Sequence, residues 1–178
     1  MVTTKRLKLI ILSVIPALAL ILWEYFNGAV AIHYVGADSS NPGISNWWGL
    51  VTIPMLTWAA LGLIEGRDFN KVEGRDTSNT IALQKKYFAG GLIFGVTAAV
   101  LWELGQQQYL SYVMLLPWVL SLFLRIYLPE TTLGFVLAML YTFGAVLPIV
   151  FSVVIQTIGF LIYLVFYLGG KRLLAKLT

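Results

Sequence analysis

From residue 131 to residue 170 the chain runs forty residues without a formally charged side chain. As one continuous helix that stretch would reach about 60 Å, twice the hydrocarbon thickness of a bilayer. It must fold back, and residues 144–148, which begin with Gly144 and end with Pro148, are the place where a turn fits best. Soluble domains carry about a quarter charged residues, whereas only 11% of this chain is charged and 59% is hydrophobic. The mean hydropathy of +0.84 agrees. A bilayer is the expected solvent, and 178 residues leave no room beside several spans for a separate soluble domain.

Six apolar runs follow, at about 7–26, 46–64, 87–104, 109–124, 131–146 and 148–169. The expected fold is all-α, a single domain of six transmembrane helices in one bundle with short loops. Lys5, Arg6 and Lys8 precede the first run, and Trp23, Glu24, Tyr25 and Phe26 close it with too much bulk for a signal-peptide cleavage region, so an uncleaved helix is expected. Residues 28–45 read as a loop with turn chemistry around Asn41, Pro42 and Gly43. Pro54 is expected to kink the second run. Residues 65–84, with EGRDFNKV followed by a second EGRD, read as a solvated loop.

The third run is entered through Lys85 and Lys86, stops at Gly105 and carries Gly91-x-x-x-Gly95 beside Gly90. Small residues at this spacing admit a close helix neighbour and leave self-association open. Gln106, Gln107 and Gln108 make so short a connection that the fourth run must lie antiparallel to the third. In the last run Gln156, with Ser152 and Thr157, is expected to bond a neighbouring helix.

With this division all twelve basic residues fall on one side: Lys5, Arg6, Lys8, Arg67, Lys71, Arg75, Lys85, Lys86, Arg125, Lys171, Arg172 and Lys176. The positive-inside rule then places both termini in the cytoplasm, with the plasma (inner) membrane of a bacterium as the expected location. The segregation explains the net charge of +4 without nucleic acid, and a basic rim suits anionic lipid headgroups. Without cysteine there are no disulfides, thiolate metal sites or cysteine nucleophiles.

The opposite side keeps Glu24, His33, Asp38 and Glu103 and no lysine or arginine. ILWEYF, residues 21–26, and VLWEL, residues 100–104, end two runs alike, and sixteen residues from Lys8 to Glu24 against seventeen from Lys86 to Glu103 put both carboxylates at matched depth. With Trp23, Trp102, Trp47 and Trp48 they suggest an acidic, aromatic pocket, in which a cation over a tryptophan face gains about 0.5–2 kcal/mol. Ser45 or Asn46 suits the N-cap of the second run, and Asn46 can also orient one of the two carboxylates. Glu24, His33 and Glu103 are candidate ligands for a divalent metal, although no HExxH-type spacing supports one and no other cofactor is expected. The competing reading is two ordinary helix ends, each with a hydrated glutamate beside belt tryptophans, and for His33 an interfacial side chain. No catalytic residue is assigned: nucleophile elbow and phosphate loop are lacking, which leaves only a proton shared by Glu24 and Glu103.

The layout of six runs, with Trp47 and Trp48 shortly before Pro54 and a short hairpin through Gln106, Gln107 and Gln108, resembles that of the Insig-type lipid- and sterol-binding proteins. It is a resemblance of arrangement, implies lipid binding and carries over no binding residue. Three functions follow as expectations. The first is binding or transport of a small cationic or amphipathic molecule at Glu24 and Glu103. The second is a lipid-binding or scaffold protein with a groove between helices, and the third is a membrane enzyme using the carboxylate pair, with or without metal.

Overall fold

In the computed structural model, which describes residues 4–35, 40–69 and 77–177, with side chains for 4–35, 40–67 and 79–167, the apolar runs are helical. α1 is Thr4–Phe26, α2 Gly49–Phe69 and α3 Thr77–Glu103; α4, Gln107–Val113, and α5, Leu116–Leu120, are short; α6 is Pro129–Phe143 and α7 Val146–Leu177. Helices satisfy their own backbone groups, as an apolar solvent demands, and α1 and α2 run through Pro16 and Pro54. The uncharged segment folds back as expected. α6 stops at Gly144, whose positive φ of 67° suits glycine, and α7 starts two residues later.

α6 is the centre of the fold. Its Phe135, Val136, Met139 and Leu140 are buried together with Ala17 of α1, Ile53 of α2 and Ala98 of α3. The most extensive helix contact is that of α3 with α6, which run parallel: Phe94 stacks on Phe135 at 5.7 Å, and Trp102 meets Phe143 at 4.8 Å. Glycine makes this approach possible. A Cβ on Gly91 would lie 2.1 Å from the Thr131 carbonyl oxygen, one on Gly134 would lie 2.1 Å from that of Phe88, and one on Gly95 would lie 2.7 Å from the Ala138 Cβ. The small residues of the third run therefore meet a small-residue face on α6 within the same chain.

Antiparallel packing of α1 on α2 is tied at its basic end by Arg6, which pairs with Glu65 at 3.2 Å, donates to the Trp58 carbonyl at 2.7 Å and lies over the Trp58 ring. Arg67 of α2 pairs with the buried Glu130 at the start of α6. Between α6 and α7, Gln156 donates to the Thr132 hydroxyl and to the Leu128 carbonyl, the interhelical bond its position implied.

Several expectations need correction. Residues 65–69 and 77–84 are helical, so Glu65 and Arg67 make ion pairs between helices rather than lie in a solvated loop; the second EGRD falls outside the described residues. Residues 28–45 are more than a loop, for Ile32–Tyr34 (β1) pairs antiparallel with Gly43–Ser45 (β2). The fourth run is not one helix: Pro117 has no N–H for the turn before it, and the chain divides into α4 and α5 around Met114 and Leu115.

Three helices are long and apolar enough to cross a membrane: Thr4–Phe26, Asn46–Arg67 and Val146–Tyr167. α6 has 15 residues, about 22 Å of helix, shorter than the hydrocarbon. An all-α fold stands, while six uniform spans do not appear among the described residues. Wide apolar exposure agrees with a membrane protein: Ile11 of α1 is 62% exposed and Val165 of α7 63%.

Candidate functional site

The ion pairs Arg6–Glu65 and Arg67–Glu130 lie at one end of the helices, where α1 and α6 begin and α2 ends. Glu24 lies at the other end, and the ribbon explains its position. β1 and β2 register His33 against Ile44, and the Asn46 amide donates to the Ala31 carbonyl at 3.0 Å, which brings Asn46 to the end of α1. There the Glu24 carboxylate accepts from Asn46 Nδ2 at 2.6 Å and from the Ala31 amide at 3.0 Å. Asn46 is 5% exposed. Gly144 closes the cluster: a Cβ there would lie 2.1 Å from Asn46 Oδ1 and 3.0 Å from His33 Cδ2. Burial holds the His33 imidazole below its ordinary pKa, against the opposing pull of Glu24 and Asn46, and its Nε2 is buried without a hydrogen-bond partner.

The other predicted site residues scatter. Trp23, Trp47 and Trp48 are exposed, as belt tryptophans are, and Trp102 packs on Phe143. Glu103 is the exposed last residue of α3. α1 packs mainly on α2 and α3 mainly on α6, so the two glutamates stand on different helix pairs. Among the described residues no group of three or more His, Asp or Glu is placed to hold a metal, so Glu24, His33 and Glu103 do not form the suggested ligand set. Gly91 and Gly95 lie against Thr131, Phe135 and Ala138 of α6.

A cavity of about 230 Å³ lies instead toward the basic end, between α3, α5, α6 and α7. Its cause is local. Gly91 carries the contact with Thr131, whereas Gly90 faces open space, with nothing within 4 Å of an added Cβ. The short α5 presents Pro117 and Leu120 opposite, and Phe94, Phe135 and Ile155 complete apolar walls. Polar groups are few. Thr132 and Gln156 bond each other, Ser152 bonds the Ile149 carbonyl, and the Thr131 hydroxyl is buried without a partner. Neither Glu24 nor Glu103 lines this cavity, nor a second, more open one between α1 and α6 that Trp23 and Tyr141 border.

Lys86 and Tyr87 line the cavity on its basic side, and Arg125 sits between the lining residues Leu124 and Ile126. The Arg125 Nε donates to the Tyr163 hydroxyl at 3.2 Å and the guanidinium lies 5.6 Å over that ring, a bond that raises the arginine's pKa further. Tyr127 and Tyr167 pack on Tyr163, and burial raises the Tyr127 phenol. Sequence reading allowed for a groove between helices but did not place it or name its lining. The pair Gly90-Gly91 held the available signal, because glycine on two adjacent helix faces leaves one for packing and one for space.

Comparison of the chain with protein families, with curated proteins and with solved structures finds no match.

Proposed function

We propose that the chain is a multi-pass protein of the plasma membrane, with its basic end in the cytoplasm, that binds a lipid-like molecule in the cavity between α3, α5, α6 and α7. The observation that carries this reading is the cavity itself, about 230 Å³ with apolar walls, a handful of polar groups and Lys86 at its edge. That is the usual chemistry of a small-molecule site, apolar lining with a few placed polar groups. The irregular backbone after α5 supports it too, because Leu124 and Ile126 line the cavity there and such backbone at membrane depth is tolerated where it does so. A bacterial inner membrane suits the compact chain and its one-sided basic charge.

The second reading is binding of a small cation at the end that holds Glu24, and the half-buried His33, which feels the charge of that carboxylate, favours it. It is the weaker of the two, since both Glu24 oxygens already accept hydrogen bonds from the protein.

Binding of a spin-labelled single-chain lipid to the purified protein in nanodiscs tests the first reading. Leucine at position 90 would fill the cavity, and Gly90→Leu should lower the immobilised fraction at least tenfold while Glu24→Gln leaves it unchanged. The reverse pattern would move the function to the Glu24 end.

A further inference from the structure

We infer that the ligand of this cavity is a single-tailed amphiphile with an anionic head, carboxylate or phosphate, seated at Lys86 and Arg125. The inference rests on the binding function proposed above and adds the chemical class. Size argues for one tail. Sites for drug-sized ligands measure about 300–1,000 Å³, and about 230 Å³ falls below that range, too little for both chains of a diacyl lipid.

Energetics argue for a charged head. An acyl tail in a bilayer is already solvated by other tails, so moving it into an apolar cavity brings no hydrophobic gain, and preference must come from packing and polar contacts. The polar contacts on offer are donors and cations. Lys86 lines the cavity, Arg125 is fixed beside it by Tyr163, and Tyr87, a lining residue, lies within electrostatic range of the guanidinium. Thr131 adds a buried hydroxyl without a partner. None of the described lining residues is acidic, and the nearby Glu130 is engaged by Arg67. A cationic head would meet two like charges there, whereas an anionic head meets two counter-ions at the depth where headgroups lie.

The test compares four spin-labelled probes of one chain length in phosphatidylcholine nanodiscs: fatty acid, monoacyl phosphate, fatty alcohol and alkyl trimethylammonium. Both anions should bind at least tenfold more tightly than the alcohol, and the ammonium more weakly than the alcohol. Lys86→Gln should reduce that preference several-fold. Lys85→Gln, which changes the same surface charge without touching the cavity, should keep it. Gly90→Ala and Gly90→Leu should weaken all four probes in order of added size; Gly90→Ala should fold because an added Cβ meets nothing within 4 Å, and the thermal unfolding midpoint checks Gly90→Leu. Equal binding of alcohol and acid, or equal loss in the Lys85 and Lys86 variants, overturns the anionic class and leaves the cavity function standing. If the Gly90 variants bind all probes like the wild type, both fall.

Discussion

Glu24 shows how a lone carboxylate opposite a basic rim is settled by the chain's own dipoles. The amides of Asn46 and Ala31 solvate it, and the ribbon that delivers them depends on it in turn. Removing the Asn46 donor leaves a half-buried charge with one partner fewer, so Asn46→Leu should cost about 1–3 kcal/mol, read as a lower midpoint of unfolding in detergent. His33 gives the cluster a pH dependence. Its folded pKa lies below the ordinary 6.5, so as pH falls the unfolded chain takes up the proton first. This share of stability is complete above about pH 6.5 and is lost as pH falls through the depressed folded value. Wild type should therefore lose more stability than His33→Gln between pH 7 and pH 5; parallel curves would show that His33 is not buried neutral. Sequence alone singled out Glu24 and Asn46 and allowed Asn46 to orient one of two carboxylates, but did not say which one or how. The contact depends on a register between residues 32–34 and 43–45, and three-residue strands carry too little alternation to be read.

Among the elements, α3 and α6 set the architecture through glycine. Gly91→Ala would drive a methyl into the Thr131 backbone and should cost about 1–3 kcal/mol or more, whereas Gly90→Ala, one residue earlier, should be nearly neutral or slightly stabilising. Thermal unfolding of the two variants side by side checks this contrast. Similar losses in both would mean that α3 does not meet α6 through Gly91. Gly91-x-x-x-Gly95 announced a close helix neighbour but not which helix, in this chain or a second copy, whereas the turn at Gly144 was legible because forty uncharged residues are too long for one crossing. The break between α4 and α5 was not: residues 109–124 read as uniformly apolar, and Pro117 marks either a helix start or a kink until its neighbours are known.

At the scale of the whole molecule, one end collects Arg6, Arg67 and Arg125 and the other Glu24, Glu103 and His33, while exposed apolar surface lies between them. That polarity was written in the sequence, since charge positions need no tertiary information. The chain has no cysteine, so single cysteines can report orientation directly: an impermeant thiol reagent added outside intact cells should label Asn27→Cys and not Lys8→Cys. The cavity was hidden for the opposite reason, being a space left by four elements whose packing no linear pattern specifies. The proposed function stands on the cavity's occupation by an acyl chain. The most direct measurement is photolabelling of the protein in nanodiscs with a fatty acid carrying a diazirine in its tail, with the labelled residues mapped by mass spectrometry. Label is expected on cavity residues Phe94, Leu120, Phe135 and Ile155, and is expected to be lost in Gly90→Leu. Label confined to outward-facing residues such as Ile11, Val153 and Phe166, and unchanged in Gly90→Leu, would contradict that function.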